Sequence, residues 1–462
     1  NAEQNTSFIF KGYPPNNYFL VQVNKLMKNI ILITVDGLRY DHSKIVKNKM
    51  DEILGQGIDF ENAYSTGPST SMSYIGLLCS KFPTFPDEIN TIAKQGVDRK
   101  RTLLYEILKN SGFSTYVISN CLFNRFYGYD KGIDLMIDKN SKITWKILKK
   151  ITSYINDEIY LPYFDAKEIT EIVKYIFKDQ NNNNKKTFMH INYMDTHTPP
   201  NISNNYIRKN FSKDEIRNNK LGVEEISAIR EALDNAEQDG KDDKEANNKL
   251  NIYQNLYYNE VLYVADHITN LLKYFEKIGK LKDTIFIMHS DHGEFLWPEG
   301  KLLGHGLPIK NKEEAINVFF DNLIHVPLTF WGLGQKKVDK VVSLVDLSPT
   351  ILGIIGIEKP TEWYGNSLFY DNEKPAISED IRHGCNCYSV RTNEWIYKYN
   401  EETKQERLLK NKYPYEKNDL SLDNPEVVIQ MRDLLAIHNE LKNECWKEYL
   451  KKDINNILIG VN

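Results

Sequence analysis

Asp36, Asp291 and His292 combine two carboxylates with an imidazole, a ligand set suited to one divalent cation. The nitrogen donor favours Mn²⁺ or Zn²⁺ over Mg²⁺ or Ca²⁺, which prefer oxygen ligands. A hydroxyl would complete a four-coordinate site, and the densest source is Ser65-Thr66-Gly67-Pro68-Ser69-Thr70-Ser71-Met72-Ser73-Tyr74. Hydroxyls after a Gly-Pro pair, followed by apolar Ile75 to Leu78, read as a turn entering a helix N-terminus. There, N–H groups without intrahelical partners favour an anion. A cation, a hydroxyl and an anion pocket side by side suit chemistry on an anionic ester.

These residues are useful only if the chain brings them together. Four β-branched or apolar runs end in groups able to bind metals or anions: Ile30 to Val35 in Asp36-Gly37, Thr115 to Ile118 in Ser119-Asn120, Phe188 to Tyr193 in Asp195-Thr196-His197, and Thr284 to Met288 in Ser290-Asp291-His292-Gly293-Glu294. Helix-length amphipathic segments lie between them, among them Leu103 to Asn110 and Val261 to Ile278. The alternation predicts an α/β fold with a large central, mostly parallel mixed sheet between helices. In such sheets ligands sit outside the carboxyl ends of the strands, where the four endings converge.

Residues 1–370 are expected to form the catalytic unit. Within it, the polar Asn- and Lys-rich stretch 201–250 reads as an insertion that either covers the crevice or runs over the surface, with helical character from Val223 to Glu237. Residues 371–462 are expected to form a smaller α+β subdomain, with strands at Tyr388 to Arg391 and Trp395 to Tyr399 and a helix from Pro425 to Asn443.

The bulk properties exclude several function classes. With 462 residues, 41% of them hydrophobic and 26% charged, the chain can bury a large core. A formal net charge of -4 calls for neither nucleic acid nor an anionic membrane as the main partner, so anion specificity must be local. Cys79, Cys121, Cys385, Cys387 and Cys445 are odd in number and scattered, unlike a disulfide framework. A reducing, cytoplasmic setting is the expectation, no stretch being apolar for the roughly 18 residues a membrane span needs. His383-Gly384-Cys385-Asn386-Cys387 lacks a matching second pair and is read as structural.

The order Phe60-Glu61-Asn62-Ala63-Tyr64, Pro68, Leu77-Leu78 and Phe82-Pro83 resembles the signature segment of type I sulfatases in the alkaline phosphatase superfamily. In that pattern the modified cysteine or serine stands two residues after the proline, and Thr70 occupies its place, with Ser69 next in register. Met72 and Tyr74 replace the proline and arginine that guide conversion to formylglycine, and Thr cannot be converted. The resemblance spans nearly the whole chain. Asp36-Gly37-Leu38-Arg39 is similar to the first metal motif, with Gly37 where a second aspartate is usual, and Ser290 to Glu294 is similar to the later one. Val345-Asp346-Leu347-Ser348-Pro349-Thr350, Gly365-Asn366-Ser367-Leu368 and Val390-Arg391-Thr392 match later stretches.

The resemblance implies that Thr70 is the nucleophile and that Asp36, Thr70, Asp291 and His292 hold one metal. It implies substrate-side or leaving-group roles for His197, in Asp195-Thr196-His197-Thr198-Pro199, and for His305, in Gly304-His305-Gly306. Asn120 stands where sulfatases carry a lysine that contacts substrate. A second metal on Asp195, His197 and His305, as in two-zinc phosphodiesterases, is an alternative. A threonine ester must be released by a second attack at the central atom, the usual route for phosphoryl groups. The expected activity is therefore hydrolysis of phosphate diesters or monoesters. Transfer to a glycan or lipid head group, sulfate ester hydrolysis with unmodified Thr, and an inactive binding module are the alternatives.

Overall fold

The computed structural model describes residues 29–85, 100–118, 128–138, 164–180, 185–197, 232, 243–294, 315–316, 318–370, 373–381, 385–412 and 418–459. Its centre is a nine-stranded sheet. The strands are β1 (Asn29–Val35), β2 (Ile58–Tyr64), β3 (Phe113–Ile118), β4 (Leu135–Ile137), β5 (Lys186–Tyr193), β6 (Thr284–His289), β7 (His325–Val326), β8 (Leu328–Trp331) and β9 (Lys336–Ser343). They run in the order β4-β3-β5-β1-β6-β8-β2-β7, with β9 also on β2. From β4 to β6 every pairing is parallel, and β8 is antiparallel to both β6 and β2. The expected α/β fold with a mostly parallel mixed sheet is what the chain adopts.

In β1 the sequence is apolar without interruption from Ile30 to Ile33 because the strand is covered on both faces. Ile31, Ile33 and Val35 face α1 (Tyr40–Leu54), α4 (Ala166–Gln180) and α5 (Lys244–Lys277) through partners such as Val46, Ile172 and Val264. Ile30 and Leu32 face α2 (Thr70–Cys79), α3 (Leu104–Asn110) and α6 (Leu347–Ile354) through Leu77, Leu104 and Ile351. The period of two in the strand thus separates two cores.

The four runs become β1, β3, β5 and β6, and each ends at the carboxyl edge of the sheet. The start of α5 departs from expectation: Lys244–Leu250 belongs to this helix rather than to the polar insertion. Asp243 caps it by accepting from the N–H groups of Glu245 and Ala246. Ala246, Leu250 and Tyr253 are buried at helical spacing, so the polar appearance of these turns reflects their solvent face. The expected helix from Val223 to Glu237 falls outside the described residues, except Ala232.

A four-stranded antiparallel sheet follows: β10 (Ala376–Asp380), β11 (Cys387–Arg391), β12 (Trp395–Asn400) and β13 (Glu406–Lys410). Helix α7 (Pro425–Ile459) extends well past Asn443 and buries Val428, Met431, Leu435, His438, Lys442 and Tyr449 at intervals of three to seven residues. Two contacts tie this sheet to the loop that precedes α2. Glu379 N–H donates to Thr66 O (2.9 Å), and Ser378 Oγ donates to Ser65 O (2.6 Å). Cys385 and Cys387 are buried, with Sγ atoms 3.5 Å apart. No helix among the described residues is long and apolar enough to cross a membrane.

Candidate active site

Asp36 leaves β1 with its N–H bonded to Tyr193 O at 2.8 Å, at the end of neighbouring β5. Gly37 follows at φ +71°, a left-handed conformation open to glycine. Tyr257 of α5 fixes the turn, donating to Gly37 O (2.9 Å) and accepting from Arg39 N–H (2.8 Å). On the other side, β6 ends in Ser290, whose Oγ accepts from Leu38 N–H (3.0 Å) and lies 2.7 Å from Val35 O. The Asp36 and Asp291 turns are thereby stitched together. Gly293 closes the second turn: its N–H donates to Leu323 O (2.7 Å), and a Cβ there would collide with Asn322 O.

Thr70 is the first residue of α2 and is buried, with Ser69 in extended conformation before it. The preceding loop is bound internally. Ser65 Oγ lies 2.7 Å from Gly67 O and 2.6 Å from Ser73 Oγ, while Thr66 Oγ1 reaches Met72 O at 3.2 Å. Thr70 Oγ1 lies 3.0 Å from His292 Nε2. The same nitrogen is 3.5 Å from Asp36 Oδ1 and 3.6 Å from Asp291 Oδ2. His292 Nδ1 is 2.7 Å from Gly293 O, an acceptor, so the ring proton belongs on Nδ1 and the Nε2 lone pair faces the hydroxyl and the carboxylates.

The site is deeply buried: Asp36 is 2% exposed, and Asp291 and His292 are 0% exposed. Burial first, then the Asp291 and Glu294 charges, push the Asp36 carboxyl well above the usual carboxylate range, while a hydrogen bond from Asn192 opposes the rise. Asp36 Oδ1 is buried and receives no hydrogen bond among the described residues. Acidic groups converging on an imidazole lone pair and a hydroxyl, far from water, match a divalent cation's needs. The donor set fits the metal implied by the resemblance.

The end of β5 approaches the same place. Thr196 Oγ1 donates to Asp36 O (2.5 Å), and His197 N–H donates to Met194 O (3.1 Å). The His197 ring sits edge-on to His292, with centroids 6.1 Å apart. One ligand atom each from Asp36, His197 and His292 lie within 4.8 Å of one another. Asp195 behaves differently. It is fully buried, and its Oδ1 accepts the Ala166 N–H at 3.1 Å, at the start of α4. Burial first, then Asp165, push its carboxyl well above the usual range. Asp195 Oδ1 therefore serves the helix terminus, while its Oδ2 is buried without a hydrogen bond among the described residues.

Sequence reasoning did not single out the polar layer beneath the site. Thr34, His190, Asn192 and His289 occupy the strand positions that face α2, the same parity as Leu32, Phe188 and Ile287. Asn192 Nδ2 donates to Tyr74 OH on α2 at 2.6 Å. Thr34 Oγ1 lies 2.7 Å from His190 Nε2 and 2.9 Å from His289 Nε2, and Tyr105 OH lies 2.6 Å from His190 Nδ1. The Thr34 hydroxyl, with one proton and two lone pairs, can satisfy an Nε2 of each ring at once. Burial keeps both rings neutral, lowering His289 to about 4 and His190 well below its usual value. Polar residues at every second position of apolar runs are the signal that would have revealed this layer.

Asn120 and His305 lie outside the described residues. Comparisons with known proteins agree with the geometry. A profile of the sulfatase family matches residues 28–357. Arylsulfatase K of Bos taurus is 22% identical, over 80% of this chain and 73% of its own. A protein solved with its substrate D-glucosamine-2-N,6-O-disulfate superposes with a TM-score of 0.66 at 18% identity, over 92% of this chain and 99% of the other. The phosphonate monoester hydrolase of Agrobacterium radiobacter gives 0.63 at 17% identity, over 91% and 96%.

Proposed function

The chain belongs to the sulfatase family, a family of ester hydrolases, and from that premise we propose that it hydrolyses phosphate diesters or monoesters through a covalent intermediate on Thr70. The observation that carries this reading is a threonine hydroxyl, rather than a convertible cysteine or serine, 3.0 Å from His292 Nε2 between two buried carboxylates.

Asp36, Thr70, Asp291 and His292 would hold one divalent cation, with Mn²⁺ or Zn²⁺ the best match to the nitrogen donor. When bound, the cation supplies positive charge that favours ionised Thr70 and offsets the charge of an anionic ester. Thr70 Oγ1 forms a bond to phosphorus as the bond to the leaving oxygen breaks. Water then attacks the same phosphorus and breaks the Thr70 ester, returning the hydroxyl. Asn192 and Tyr74 orient Asp36, and the Gly293 carbonyl fixes the His292 ring. Burial excludes competing water from the ligand set. Asn120 and His305 carry the substrate-side roles that the resemblance implies.

Phosphorus is favoured over sulfur because no aldehyde hydrate is available to expel sulfate by collapse. Each turnover must include a second displacement at the central atom. The similarity to arylsulfatase K supports sulfate esters as the second reading. Protein stripped of metal and reloaded with Mn²⁺ or Zn²⁺ should be assayed on aryl phosphate diesters and monoesters, an aryl phosphonate monoester and an aryl sulfate. The expected result is faster turnover of a phosphate ester, with a trapped phosphothreonine at position 70. Dominant aryl sulfate turnover without such an adduct would replace this reading with the second. Added alcohols diverting the adduct to new esters would identify a transferase.

A further inference from the structure

We propose that His197 is a ligand of the same cation, a fifth donor beside Asp36, Thr70, Asp291 and His292, and not a substrate-side group. The inference rests on the one-cation reading above and specifies its coordination.

Three observations carry it. Ligand atoms of Asp36, His197 and His292 lie within 4.8 Å of one another. Two metal–ligand bonds of about 2.1 Å span about 4.2 Å, close to the separation within which these three ligand atoms lie. Next, the backbone is built to bring His197 in. Gly37 has no side chain, and a Cβ there would meet Thr196 O at 3.2 Å and His197 Cα at 3.4 Å. The 194–197 turn therefore rests against the residue that follows Asp36, pinned by Thr196 Oγ1 on Asp36 O. Finally, Asp195 Oδ1 turns to the Ala166 N–H, and Asp195 is not among the residues whose ligand atoms gather at Asp36 and His292.

The consequence is metal selectivity. Two imidazoles, two carboxylates and a hydroxyl form a mixed nitrogen and oxygen set that favours Zn²⁺, Mn²⁺ or Co²⁺ over Mg²⁺ and Ca²⁺. Removing His197 leaves one imidazole and weakens the transition metals more than the hard cations.

Calorimetric titration of chelator-stripped protein with Zn²⁺, Mn²⁺ and Mg²⁺ tests this on wild type, His197→Ala, His197→Gln, His197→Asp and His292→Ala. Visible spectra of the Co²⁺ forms report coordination, and melting curves without metal confirm folding. The expected result is a loss of at least roughly ten-fold in Zn²⁺ affinity for His197→Ala and His197→Gln, with Mg²⁺ affinity nearly unchanged. The Co²⁺ spectrum should change, and His197→Asp should shift preference toward Mg²⁺. Wild-type Zn²⁺ affinity and Co²⁺ spectrum in both neutral variants, with binding lost in His292→Ala, would overturn the proposal and leave the underlying site intact. Failure of the wild type to bind any of these cations would remove the site itself.

Discussion

Thr70 Oγ1 and His292 Nε2 approach to 3.0 Å from elements more than two hundred residues apart in the chain, and the Gly293 carbonyl at 2.7 Å from Nδ1 directs the His292 lone pair at the hydroxyl. Without metal this lone pair accepts a hydrogen bond from the Thr70 hydroxyl; in the one-cation reading proposed above it would instead face the metal. Thr70→Ala should lower kcat/KM on the best phosphate ester by on the order of 10³-fold or more. Thr70→Ser should retain measurable turnover and form the same adduct. Steady-state kinetics with intact-mass detection of the adduct checks both, and an Ala variant near wild-type activity would remove Thr70 from the reaction.

Gly37 and Gly55 allow a matched comparison. Both have positive φ, +71° and +75°, but a Cβ at Gly55 would meet nothing within 4 Å. Alanine at either should cost on the order of 1–3 kcal/mol from the positive-φ backbone, the more at Gly55, whose ψ of -178° is open almost only to glycine. Gly37→Ala should in addition press on Thr196 and His197 and reduce metal affinity; Gly55→Ala should leave affinity unchanged. Chemical denaturation and metal titration on the two variants separate strain from positioning.

The raised Asp36 carboxyl sets the pH behaviour of metal-free protein. A folded-state pKa above the unfolded value stabilises the fold fully below the unfolded pKa, near 4. That stability is lost as pH rises through the folded value. In the Asp36 contribution, metal-free protein should therefore lose melting temperature on going from mildly acidic to neutral solution, relative to an Asp36→Asn control. Saturating Mn²⁺ or Zn²⁺ should reverse the trend, because the cation favours the ionised carboxylate. An Asp36→Asn protein with the same metal-free pH profile as wild type would contradict this.

Tyr74→Phe removes the acceptor of the Asn192 Nδ2–H bond, at 2.6 Å in a fully buried layer. An unmade buried hydrogen bond costs about 1–3 kcal/mol. The variant should show that loss in denaturation and a weaker metal affinity, since Asn192 also bonds Asp36. Unchanged affinity would mean that Asn192 holds the carboxylate without help from α2.

Glu379 gives an opposite pH signature. Burial alone would raise its carboxyl, but Lys442 at 2.7 Å and His438 at 2.8 Å outweigh that effect and hold it at about 2. A depressed pKa gives stability that is present above the unfolded value and lost as pH falls through the folded one. Between about pH 4.5 and pH 2 wild type should lose more stability than Glu379→Gln. Acid unfolding of the two proteins followed by circular dichroism checks this.

Much of the site was legible because its chemistry sits at strand ends, where a run such as Thr284 to Met288 gives way abruptly to Ser290-Asp291-His292. Period and turn chemistry together located the parallel strands. The start of α5 was not legible, because Lys244 to Leu250 presents a polar face and only Ala246 and Leu250 betray the buried one. The positions of His197 and Asp195 depend on a left-handed glycine and on a helix start contributed by Ala166, neither of which spacing encodes. The Thr34, His190 and His289 triad is visible only once three strands lie side by side.

The Ser65 and Thr66 carbonyls are bonded by Ser378 and Glu379, residues some three hundred positions later. A chain emerging from the ribosome thus has its central sheet, Asp36 and Asp291 before it has the strand that clasps the loop leading into Thr70. Activity should switch on late in synthesis, and nascent or truncated forms ending before residue 376 would be assembled around an unfinished centre.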